Sequence, residues 1–135
     1  MRAKLAVAIA GLALLTGSGA TYAHHSFAAE FDANKPFKFT GKVTKVEWMN
    51  PHTFFYLDVV DEETKKVTNW GVEMGSPNIL MRNGWRRDSM KIGDVVTVTG
   101  SRAKNGSTLG NARSVTLSTG KQLFAGSSED NAESN

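Results

Sequence analysis

The sequence predicts an all-β domain with one short helix, arranged as an OB-like barrel of five antiparallel strands with the helix between strands three and four. Three observations carry this. Short segments alternate apolar and polar residues, the long first segment switches phase midway, and one Ser-Pro helix start falls between the third and fourth segments. Closing short strands on themselves also removes exposed edges. A β-sandwich is the alternative, because short alternating strands serve both architectures.

The first strand is expected from Phe37, after an extended lead-in over residues 24–36 that ends at Pro36. In FKFTGKVTKVEWM, Phe37, Phe39 and Val43 share one parity, whereas Val46 and Trp48 share the other. Strand faces alternate residue by residue, so the switch predicts a bulge or sharp bend near Thr44 and Lys45. Gly41 adds a position where the strand can coil tightly. After the turn MNPH, the segment TFFYLDVVD points Phe55, Leu57 and Val59 to one side. The charged turn DEETKK leads into VTNWGVEM, with Trp70, Val72 and Met74 on one face.

In GSPNILMRNG, Ser76 suits the N-cap, Pro77 the first helical position and Gly84 the stop. A helix of about two turns follows, closing Ile79 and Leu80 on the core. The fourth strand turns Val96 and Val98 inward and the fifth turns Val115 and Leu117 inward. Between them KNGS carries an Asn-Gly pair that favours a tight hairpin. The domain is therefore expected over residues 37–124, followed by a disordered polar tail over residues 125–135.

The first 23 residues read as a removable export signal: Arg2 and Lys4 precede the apolar run LAVAIAGLALL, which is about half the ~20 residues of a membrane span. Cleavage fits after Ala20 or after Ala23, and the second would make His24 the new N-terminus. The expected location is a bacterial periplasm, with no transmembrane segment in the mature chain. The chain has no cysteine, which excludes disulfides, thiolate metal sites and cysteine nucleophiles. The formal charge of +3 includes Arg2 and Lys4, so the mature chain is close to neutral. Arg82, Arg86, Arg87 and Lys91 form a local basic cluster that could meet an anionic surface or nucleic acid; it reads foremost as a solvated face, and export argues against a nucleic-acid partner.

The segments HHSFAAEFD, GKVTKVEWMNPH, VTNWGVEMGSPN, GWRRDSMKIGDVVTVTGSRAKNGS and NARSVTLSTGKQLFAG resemble a family of small exported bacterial proteins known only as a domain of unknown function. The resemblance runs from His24 to Gly126. It implies an exported single-domain β-protein and brings no activity, substrate or catalytic residue.

The residues themselves suggest a metal site made of His24, His25 and His52, the chain's three histidines. A chain starting at His24 would offer its amine and imidazole to one ion, and a free α-amine with a pKa of roughly 7.7–8.0 loses its proton readily to a metal. Nitrogen ligands in a plane suit Cu(II) best, with zinc and nickel as alternatives. Against this, neighbouring residues in extended chain point to opposite sides, so His24 and His25 need not share an ion. Met49, Met74, Met81 and Met90 lack the spacing of a methionine-rich copper motif and read as packing.

Phe54 and Tyr56 share the face opposite Phe55 and Leu57, and define a second candidate surface, for a protein or envelope ligand. Trp48 and Trp70 read as core. Asp32, Glu47, Asp58 and Glu73 lie on separate segments, Ser26 beside His25 makes no triad, and no G-x-S-x-G, HExxH or P-loop pattern occurs. The expectation is a non-catalytic binding protein whose partner is a metal ion, copper foremost, or alternatively a periplasmic protein.

Overall fold

The computed structural model describes residues 27–126. Six strands form one sheet: β1 (Phe31–Glu47), β2 (Phe54–Val60), β3 (Val67–Glu73), β4 (Val95–Ala103), β5 (Leu109–Thr116) and β6 (Gln122–Phe124). A helix, α1 (Pro77–Arg82), lies between β3 and β4 in sequence, as the Ser-Pro signal predicted. The strand order is β3-β2-β1-β4-β5-β6, with an additional pairing between β3 and β5. That pairing is parallel, and all the others are antiparallel.

The 17 residues of β1 serve two neighbours. Residues from Phe31 to Lys42 pair with β4, and Lys42 to Glu47 pair with β2. Gly41 sits where the neighbours converge: a Cβ there would lie 2.4 Å from the Asp58 carbonyl oxygen, so only glycine permits this approach. The register with β2 shifts between Val43 and Lys45, which is the bulge expected from the parity switch. The extra residue, Thr44, is exposed, and Val43 and Val46 can therefore both turn toward the core.

Helix α1 has the ends its sequence announced. The Ser76 hydroxyl accepts from the Ile79 N–H, and Pro77 occupies the first turn. At the other end Gly84 takes φ +90°, the Gly84 N–H donates to the Met81 carbonyl, and the Trp85 N–H donates to the Leu80 carbonyl. This is the Schellman pattern, with Leu80 and Trp85 both buried as its apolar partners. The Trp85 indole also donates to the Phe124 carbonyl at 2.8 Å, tying the helix end to β6.

The core holds Val43, Phe55, Leu57, Val72, Met74, Leu80, Trp85, Val96, Val98 and Val115, and it includes at least one of the inward residues read from each of the five strands, while Phe39 and Val46 are only partly buried. Trp48, Trp70 and Val59 pack against it while partly exposed. At the β2–β3 turn, Asp61 accepts from the Thr64 N–H, the Thr64 hydroxyl and the Glu63 N–H. The Thr64 bonds chiefly hold the exposed Asp61 carboxyl below the usual aspartate range.

Four expectations are corrected. The lead-in over 24–36 is not extended throughout: residues 27–30 are helical and β1 begins at Phe31, six positions before Phe37. Phe31 is buried and pairs with Ala103, and the Lys104 N–H closes on the Glu30 carbonyl, so burial draws the segment into the sheet. Pro36, lacking an N–H, falls at a register shift after Asp32. Second, β6 is an additional strand, too short at 3 residues to show alternation in the sequence.

Third, the tail assigned to 125–135 starts too early, because Ala125 and Gly126 are buried and the Ala125 N–H donates to the Arg113 carbonyl. Residues 24–26 and 127–135 lie outside the described residues. Fourth, the Asn105-Gly106 connection is wider than a tight hairpin, since β4 ends at Ala103 and β5 starts at Leu109. Gly106 has the positive φ expected of it, but the longer path lets the Thr108 carbonyl accept from the Gly71 N–H and start the β3–β5 pairing.

Gly100 of β4 lies tight against β5: an added Cβ there would lie 1.9 Å from the Asn111 carbonyl oxygen. Gly100→Ala is expected to cost about 1–3 kcal/mol through forced backbone displacement. Urea denaturation measures this, and an unchanged midpoint would contradict the packing described.

Candidate functional site

Backbone register assembles this site from residues far apart in sequence. Phe54 of β2 is paired on one side with Glu47 of β1 and on the other with Glu73 of β3. Directly opposed residues point to the same side of a sheet, so the three side chains form one row. The next row runs from Lys45 through Tyr56 to Gly71. Gly71 leaves space for the Tyr56 ring, which an added Cβ would meet at 3.2 Å.

Polar contacts fix the edge of this face. The Tyr56 hydroxyl donates to Glu47 Oε2 at 3.4 Å, Lys45 is ion-paired with Glu47, and Lys45 Nζ lies 5.3 Å from the Tyr56 ring centroid. The Lys45 hydrogen bond chiefly lowers the Glu47 pKa, and the same bond chiefly raises that of Lys45. Lys45 is exposed and Glu47 partly so, and this trio therefore orients Tyr56 more than it stabilises the fold.

His52 arrives from the loop between β1 and β2, which contains a cis Asn50–Pro51 bond. The next residue locks the loop: the Thr53 N–H donates to the Gly75 carbonyl and the Met74 N–H donates to the Thr53 carbonyl. The imidazole therefore lies over the end of β3, with Nδ1 3.2 Å from the Met74 carbonyl oxygen and 3.5 Å from Glu73 Oε1. Both neighbours are acceptors, so Nδ1 carries the proton in the neutral ring. That leaves Nε2 with its lone pair, the form in which histidine binds a metal. The His52 side chain is 39% exposed and that of Glu73 is 14% exposed, so the carboxylate is the more buried partner.

His52, Phe54 and Tyr56, read separately from the sequence, thus come together at one end of the β1–β2–β3 face. His24 and His25 lie outside the described residues. No three histidines and carboxylates among the described residues are grouped to hold a metal ion. Glu47 is two strand spacings from Glu73, roughly 9–10 Å, too far to share an ion with it through backbone placement alone. Sequence reading treated Glu47 and Glu73 as scattered; their relation appears only once register is known. Of the carboxylates weighed alongside them, Asp58 accepts from Asn69 Nδ2 at 2.8 Å and Asp32 lies near Lys35.

The methionines divide. Met74 and Met90 are core, as expected, whereas Met49 and Met81 are exposed. Phe37, Phe39 and Trp70 pack as a second aromatic group, with the Arg102 guanidinium 5.4 Å from the Phe39 ring and 5.5 Å from the Trp70 ring.

The hydroxyl of Thr53, beside His52, is fully buried and has no hydrogen-bond partner among the described residues. An unpartnered buried hydroxyl costs free energy, so Thr53→Val is expected to raise stability by about 1 kcal/mol. A lower unfolding midpoint in urea would show that this hydroxyl is satisfied in solution.

Comparison with curated proteins finds no match to this chain. The family comparison does give one, over residues 12–112, and more than half the sequence is thereby covered. The chain belongs to the family of unknown function DUF6152.

Proposed function

We propose that this protein is a non-catalytic binding protein of the bacterial periplasm, built on an OB-type five-stranded barrel. The barrel reading is supported by the strand pairings, which run β1-β2-β3-β5-β4 and return to β1, with α1 between β3 and β4. In this reading β6 is an addition to the five-strand ring. Export is supported by Arg2 and Lys4 ahead of LAVAIAGLALL and by the small residues before Ala23.

The ligand in this reading is a divalent metal, Cu(II) best, held by His52 with His24 and His25. The observation that carries it is the Nδ1 contact of His52 with the Met74 carbonyl and Glu73 carboxylate, the outer-shell support that metal-binding imidazoles use. Cleavage after Ala23 would add the terminal amine of His24 to the donor set. Nitrogen donors of this kind favour copper over zinc and nickel.

A second reading rests on a different observation, the half-buried Phe54 and Tyr56 side by side on an outward face flanked by Glu47 and Glu73. Here the protein is an interaction module whose partner is a protein or envelope ligand, and the histidines are incidental. Half-buried aromatic rings on an outward face suit a partner with apolar groups.

Mass spectrometry of the chain from its host, followed by copper titration, separates the two. The metal reading expects a mature chain starting at His24 and an affinity at least tenfold weaker in His52→Ala. A chain starting at Thr21, or equal uptake by the variant, would overturn it. The module reading expects Phe54→Ala and Tyr56→Ala each to weaken a captured partner by about 1–3 kcal/mol, as central aromatic contacts do, with His52→Ala neutral.

A further inference from the structure

The basic cluster read as a solvated face is more organised than its sequence suggests. An open pocket of about 730 Å³ has Arg86, Arg87 and Lys121 on its walls, with Asp88, Met81 and Trp85. Lys121 comes from the turn before β6, far along the chain from the two arginines, and therefore does not belong to any sequence cluster with them. Trp85 is anchored by its indole bond to Phe124, and the arginine turn is pinned by the Arg86 N–H to the Ser89 hydroxyl and the Ser89 N–H to the Arg86 carbonyl. The cations are thus mounted on fixed backbone.

Their charges are unspent. The ion pairs among the described residues involve Lys35, Lys45 and His52, and none involves Arg86, Arg87, Lys121 or Asp88. Three cations against one carboxylate leave a net positive pocket. A guanidinium presents a planar fork of donors that matches the oxygens of a phosphate group, and an ammonium adds a point charge. Met81, half exposed, gives the pocket an apolar edge suited to the carbon part of a phosphate ester, and the buried Trp85 anchors the backbone beneath it.

We infer that this pocket binds a phosphate group, carried by a soluble phosphate ester or by an anionic lipid headgroup. It shares no residue with the His52 face and stands independently of the metal reading. One charged contact with a phosphate-bearing surface is worth about a fivefold change in affinity.

The test uses the chain in the form that accumulates in its host. Cosedimentation with phosphatidylglycerol vesicles, against phosphatidylcholine vesicles, reads the lipid source; calorimetry with inorganic phosphate and glycerol phosphate reads the soluble one. The Arg86→Ala, Arg87→Ala double variant is expected to bind about 25-fold more weakly and Lys121→Ala about fivefold more weakly. All three residues are exposed, so thermal melting should not change. Lys65→Ala, Lys66→Ala, on the β2–β3 turn, controls for diffuse charge. Selective binding of vesicles assigns the headgroup, and binding of the soluble probes assigns the free ester. Binding of neither, or an equal loss in the turn variant, overturns the site.

Discussion

A long strand that passes from one neighbour to another along its length must twist or bend at the handover, and the architecture depends on how β1 meets that demand. Its first part pairs with β4 and its second with β2, and the handover occurs across Gly41 to Lys45. Glycine at 41 admits the Asp58 carbonyl, and the extra residue at Thr44 increases twist while resetting which side chains face inward. Without that reset, Val46 and Trp48 would face solvent while Lys45 and Glu47 turned inward. The outer rows carrying Tyr56 and Phe54 are thus a product of the same bulge that completes the core.

The bulge was legible because a parity switch within an unbroken apolar pattern has one simple explanation. The helix was legible for a related reason: Ser76, Pro77 and Gly84 each satisfy a local backbone need that few other residues meet. What escaped was set by tertiary contact. Phe31 lies in a segment with mixed composition and joins β1 because Ala103 and Lys104 await it. Strand β6 is three residues long and exists because Ser114, Val115 and Thr116 present an unpaired edge.

The candidate site divides in the same way. His52, Phe54 and Tyr56 stand out as residue types, and their short spacing makes proximity unsurprising. Glu73 and Glu47 could not be attached to them, because a row across three strands depends on two registers that sequence does not state. Lys121 was missed for the same reason: it is a lone lysine in a Gly-Lys turn until folding carries it to Arg86 and Arg87. In both cases the side chains were visible and their neighbours were not.

The loop bearing His52 is held by Gly75, and Gly75 is held in turn by the last part of the chain. The Gly75 carbonyl accepts from the Thr53 N–H, while the Gly75 N–H donates to the carbonyl of Ala125 at 2.9 Å. A Cβ on Gly75 would approach the Gly126 carbonyl oxygen to 2.8 Å, so the two segments lie almost in contact. A chain emerging N-terminus first therefore presents His52 early but gains the final support of its loop only when residue 125 arrives. Assembly of this face is thus ordered along the chain: the loop bearing His52 waits on residues more than 70 positions downstream.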